Sequence, residues 1–70
     1  MTIPTQTMRK IIKKTTGLRA GTSTGETLAR VLEDEATLIS RTAGRLAVHS
    51  GRQTVSSDDV LLAVDMLREE

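Results

Sequence analysis

The chain has 70 residues, no cysteine, no aromatic residue, a hydrophobic fraction of 37% and a formal net charge of +1. That length holds one domain at most, spanning residues 1–70, and the absence of cysteine excludes disulfides and thiolate metal sites. No apolar run approaches the roughly 18 residues of a membrane span, and none follows the first charges as a signal peptide requires, so a cytoplasmic chain with no membrane partner is expected. Aromatic side chains are the largest units of burial. A chain of this size without them, and without a disulfide, rarely holds itself together by one core, so oligomerisation is the expected staple.

The net charge hides a gradient. The first acid is Glu26; Arg9, Lys10, Lys13, Lys14 and Arg19 precede it and give the front of the chain +5. Five arginines and nine acids share the remainder, which carries −4. A basic half joined to an acidic half suits a polyanion-binding face. The competing explanation is a solvated helix face that happens to be basic.

Three helices are predicted. The first opens after Pro4, with Thr5 or Thr7 as its cap, and carries Met8, Ile11 and Ile12 on one face. It fades through Thr15 and Thr16 into Gly17, a C-terminal glycine. Residues 17–22 read as a loop. Ser23-Thr24-Gly25-Glu26 then fits a capping box, with Ser23 as cap and Glu26 reaching back. The long helix that follows bears Ala29, Leu32, Ala36, Ile39, Ala43, Leu46 and Ser50 at alternating spacings of three and four, a heptad seam with mostly small residues at alternate positions. Gly51 closes it. Arg52 to Val55 form a connector, Ser56 caps the third helix, and Asp58 and Asp59 sit in its first turn, where the helix dipole favours anions. Val60, Leu61, Ala63, Val64 and Leu67 make its apolar stripe.

The middle helix, about 27 residues, is about 40 Å long at 1.5 Å per residue. A compact chain of this size has a radius of gyration of about 11 Å, hence a diameter of about 30 Å. The helix overshoots its own domain while its seam stays apolar. A second copy crossing it would cover the excess.

The run Ala47-Val48-His49-Ser50-Gly51-Arg52-Gln53-Thr54-Val55-Ser56-Ser57-Asp58-Asp59-Val60 resembles the end of the middle helix, the second loop and the third helix of archaeal-type histones. Ile3-Pro4, Ile11-Ile12-Lys13, Arg19 and Thr27-Leu28-Ala29 match the first half of the same family. The likeness covers essentially the whole chain, its most specific part being Ala47 to Val64, and is compatible with an archaeal or a bacterial source. It implies an all-α histone fold: short, long and short helices in an obligate head-to-tail handshake homodimer. It also implies a nucleoid-associated protein that bends, wraps and compacts double-stranded DNA largely without reading sequence, and that assembles further on DNA. Helix N-termini present free N–H groups to phosphates. Lysine and arginine neutralise the backbone. An arginine can enter a narrowed minor groove, which rewards bendable DNA.

By that resemblance Arg19 is the minor-groove arginine of the first loop, Thr54 the phosphate-contacting hydroxyl of the second, and Lys10 and Lys13 the basic residues of the first helix. Arg9, Lys14, Arg52 and Gln53 complete the DNA-binding set. Arg52 and Asp59 correspond to an internal ion pair that braces the second loop against the third helix. Leu46, His49 and Asp59 correspond to the contact joining one dimer to the next. Departures from the pattern are Gln53 in place of the usual lysine, Val48, Ser56 and Asp65 at positions often basic, and Thr16 where a glycine permits close stacking. They point to weaker binding and away from long stacked superhelices.

An enzyme is not expected: there is no nucleophile–base constellation and no phosphate loop, and Glu33-Asp34-Glu35 reads as a solvated face. A single histidine, His49, with no cysteine offers no metal site, and no cofactor is implied. Two rivals remain. One is a histone-fold heterodimerisation module of a transcription or chromatin complex, which the near-neutral net charge favours. The other is a plain helical homodimer with no nucleic-acid role. Arg19 and Thr54 favour the DNA-binding histone.

Overall fold

A computed structural model describes residues 4–69; Ile3, part of the family resemblance, lies outside them. Three helices follow one another: α1 (Thr5–Thr16, 12 residues), α2 (Thr22–His49, 28 residues) and α3 (Ser57–Arg68, 12 residues). The described residues contain no strand. The short–long–short order is the one read from the sequence. Contacts divide the chain within α2 into two compact units, one running through Glu35 and the other from Ala36.

In the first unit α1 starts directly at Thr5. The cap position is occupied by Pro4, whose backbone is extended (φ −60°, ψ 124°) and which supplies no side-chain cap. The expectation of Thr5 or Thr7 as cap is therefore corrected. Pro4 has its φ preset near the helical value, and its carbonyl accepts the Met8 N–H at 3.3 Å, which places both threonines inside the helix. The far end behaves as read: Gly17 adopts φ 77° and its N–H closes on the Lys13 carbonyl at 2.8 Å.

The start of α2 also differs from expectation. Gly25 donates its N–H to the Gly21 carbonyl at 3.1 Å, so the helix begins at Thr22 and Ser23 lies in its first turn. Ser23 is not the cap; its carbonyl accepts the Thr27 hydroxyl at 2.9 Å. Gly21 takes the capping position, which glycine tolerates well. Gly25 is buried for a tertiary reason. A Cβ there would stand 2.7 Å from Arg9 Cγ and 2.9 Å from both Thr5 Cγ2 and the Thr5 carbonyl oxygen. The first turns of α1 and α2 thus meet at backbone distance. Met8, Ala20 and Ala29 are the buried apolar residues of this unit.

In the second unit α2 ends in a paired closure around Gly51 (φ 73°). The Gly51 N–H reaches the Val48 carbonyl and the Arg52 N–H reaches the Ala47 carbonyl, both at 2.9 Å, which satisfies the last carbonyls of the helix. Ser56 caps α3 in a reciprocal box with Asp59: the Ser56 hydroxyl accepts the Asp59 N–H at 3.2 Å, and the Asp59 carboxylate accepts the Ser56 N–H at 2.8 Å. Ala43, Ala47 and Ala63 form the buried apolar set here.

The interior is thus small. No large side chain is fully enclosed among the described residues, and Met8 and five alanines make up its apolar part. Along the seam Ala29 and Ala43 are buried, Leu32, Ile39 and Leu46 half-buried, and Ala36 and Ser50 exposed. The expected stripe of α3 is corrected likewise. Ala63 is buried and Val64 half-buried, but Val60 and Leu67 remain exposed and Leu61 is 65% exposed. Leu62 and Met66, on the other flank of Ala63, are each close to half exposed. At 100° per residue these positions make an apolar arc on α3 far wider than the strip its own chain covers.

Candidate nucleic-acid interface

The chain's early cations converge in the first unit. An open groove of about 590 Å³ is lined by Arg9, Lys10, Lys13 and Lys14 of α1, by Arg19 and Ala20 of the following loop, and by Gln6 and Gly21. No carboxylate lines it. The helical period brings the α1 residues there, and the turn at Gly17 brings back the loop that carries Arg19. Five like charges around one concavity, with no internal counterion among its walls, make a place where an anion is favoured.

The five cations are not equivalent. Arg9 is half-buried; its Nε donates to the Ala20 carbonyl at 2.9 Å and its Nη1 to Gln6 Oε1 at 3.1 Å. Lys13 Nζ donates to the Gly17 carbonyl at 3.2 Å, a cation on the C-terminal end of α1 where the helix dipole favours it. Lys10, Lys14 and Arg19 are exposed and make no hydrogen bond among the described residues. The loop has a further fixed point: Thr16 Oγ1 donates to the Ile12 carbonyl at 2.8 Å and accepts the Leu18 N–H at 3.0 Å.

The second unit holds the other candidates. Arg52 meets Asp59 in a two-pronged ion pair, Nη1 to Oδ2 at 2.7 Å and Nη2 to Oδ1 at 2.8 Å. The Asp59 side chain is 7% exposed and that of Arg52 41%. Arg52 Nη1 also reaches the Thr54 carbonyl at 3.3 Å, so one guanidinium ties the loop to α3. The hydrogen bond from Arg52, then that from the Ser56 N–H, holds the Asp59 carboxyl far below its ordinary range, outweighing the opposing effect of burial. The same hydrogen bond pushes the Arg52 guanidinium up. Gln53 and Thr54 are exposed. Leu46 is half-buried and His49 exposed, one turn apart on α2, whereas Asp59 is buried with both oxygens engaged.

Three participants escape sequence reasoning. In the sequence Gly25 reads only as part of a capping box, although a glycine early in a helix can equally signal close approach of another backbone. Gln6 and the Ala20 carbonyl, the partners of Arg9, carry no local signal at all. Among the described residues no group of His, Cys, Asp or Glu is placed to hold a metal ion, and no helix is long and apolar enough to cross a membrane.

Residues 1–64 match the family model described as histone-like transcription factor (CBF/NF-Y) and archaeal histone. The chain is also 34% identical over 62 residues to the archaeal histone HAN1 of Thermococcus zilligii, a match covering 89% of this chain and 92% of that protein. With three helices in short–long–short order and a shared basic groove already in place, these matches settle its kinship: the chain belongs to the family of histone-like transcription factors (CBF/NF-Y) and archaeal histones, a histone-fold, DNA-binding family and not an enzymatic one.

Proposed function

We propose that this protein works as a homodimeric, chromosome-associated histone that bends, wraps and compacts double-stranded DNA largely without sequence preference. The observation that carries the proposal is the groove of the first unit, where five cations face one concavity that no carboxylate lines. A surface of that kind neutralises backbone phosphates, which have no sequence, and it gains affinity by releasing counterions. Lys10, Lys13 and Lys14 take the phosphate contacts. Arg19 is the residue that enters the minor groove. In the second loop Thr54 and Gln53 offer hydrogen bonds to phosphate while Arg52, braced by Asp59, shapes the loop and adds charge.

Dimerisation follows from the exposed apolar residues of α3 and the half-covered seam of α2. A second copy laid across them would complete one domain from residues 1–70 of each chain. Leu46 and His49 then form a two-fold contact between dimers, with Asp59 close to it, and DNA supplies the effective concentration for chains of dimers.

The experiment is a titration of random-sequence duplex at several salt concentrations. Log affinity should fall linearly with log salt at about −0.9 per phosphate neutralised. Binding indifferent to salt, or confined to one sequence, would refute the proposal. A chain that folds only beside a different histone-fold partner would point instead to a heterodimerisation module.

A further inference from the structure

Arg9 differs from the other cations of the groove. Its aliphatic stem crosses Gly25, where the missing side chain leaves room, with Arg9 Cγ at the 2.7 Å position a Cβ would contest. Its Nε then ends on the Ala20 carbonyl at 2.9 Å, and Gln6 takes Nη1. Ala20 follows Arg19 directly, and on the other side of Arg19 the Gly17 carbonyl is held by Lys13. The loop carrying Arg19 is thus gripped on both sides by α1, and the Arg9 grip is the part-buried one. A guanidinium that already serves two protein acceptors is poorly free to follow a phosphate.

The geometry points to Arg9 as a positioning residue, which holds the loop so that Arg19 presents its guanidinium at a fixed place on the groove, and does not itself neutralise a phosphate. This rests on the DNA-binding reading of the groove. It separates donor chemistry from charge. Glutamine carries an N–H donor at the same distance along its side chain as arginine Nε, and no charge. Methionine keeps the stem and has neither.

The test compares Arg9→Gln, Arg9→Met, Lys10→Ala and Arg19→Ala. Affinity for random-sequence duplex is measured at several salt concentrations, and tryptic cleavage after Arg19 is timed in the free protein. Arg9→Gln should keep the parent's affinity and cleavage rate. Arg9→Met should lose affinity by about the factor that Arg19→Ala loses, keep the parent's salt slope, and be cut severalfold faster after Arg19 as the loop opens. Lys10→Ala should lower the slope by about 1.8 per dimer, two contacts at about 0.9 each. Added to Arg19→Ala, Arg9→Met should cost nothing more, because it acts through that arginine. The proposal is overturned if Arg9→Gln and Arg9→Met both lower the slope by about 1.8, if Arg9→Met leaves cleavage unchanged, or if its loss persists in full beside Arg19→Ala. If the parent itself binds duplex without salt dependence, the functional reading fails, and the cleavage arm alone still decides whether Arg9 holds the loop.

Discussion

Replacing Gly25 by alanine should destabilise the protein, although alanine is the better helix former. Two effects oppose each other. In a helix interior alanine is favoured over glycine by about 1 kcal/mol, and Gly25 lies in the first turn of α2, where the gain is smaller. Against that, the new methyl would stand 2.7 Å from Arg9 Cγ and 2.9 Å from Thr5 Cγ2 and the Thr5 carbonyl oxygen. Arg9 could swing aside only by giving up its bond to Ala20, and the Thr5 carbonyl moves only if α1 moves. Overpacking of this kind costs about 1–3 kcal/mol. The net expectation is a loss of about 1–2 kcal/mol. Urea unfolding followed by circular dichroism measures it, with parent and variant at one protein concentration. Adding Thr5→Ala removes the Cγ2 contact and should recover part of the loss, never all, because the carbonyl remains. A Gly25→Ala protein as stable as the parent, or more stable, would mean that the two first turns do not approach as described.

Three other outcomes are expected. The melting temperature should rise with protein concentration, as it must when a folded dimer is in equilibrium with unfolded chains; a value constant over a hundredfold dilution, with a monomer mass, would contradict the handshake. Asp59 is held below its ordinary carboxyl value of 3.8, so its contribution to stability is complete above that pH and is lost progressively as the pH falls further. Asp59→Asn should accordingly be less stable at neutral pH and lose less on acidification; parallel pH profiles of parent and variant would show that the carboxylate is not the group responsible. His49→Asp should leave single-dimer DNA binding intact but break long protected tracts into dimer-sized footprints, since like charges would then face each other across the dimer–dimer contact; unchanged footprints would place that contact elsewhere.

What the sequence made legible was local. Gly17, Gly51 and the Ser56–Asp59 box each close a helix end through groups within a few residues, and such chemistry leaves a mark in order and spacing. The long α2 showed in its heptads, and the cation cluster in the absence of any acid before Glu26. The two misplaced caps were also local, but there two candidates competed within a few residues: Pro4 against Thr5 and Thr7, and Gly21 against Ser23. Gly25 and the Arg9–Ala20 bond were illegible because they join residues brought together only by the crossing of α1 and α2. The Arg52–Asp59 pair, seven residues apart across a loop, was suggested by family resemblance alone, since no helical period relates the two positions.

The interior of alanines has a practical consequence for mutagenesis. Alanine scanning, the usual way to weigh side chains, is blind to Ala29, Ala43, Ala47 and Ala63, which have nothing left to truncate. Apart from Met8, large apolar side chains that a scan would remove from α2 and α3 are half-buried or exposed in the single chain. Any large loss on truncating Leu62 or Met66 therefore reports on atoms that another molecule covers. For this protein a stability scan doubles as a footprint of its partner.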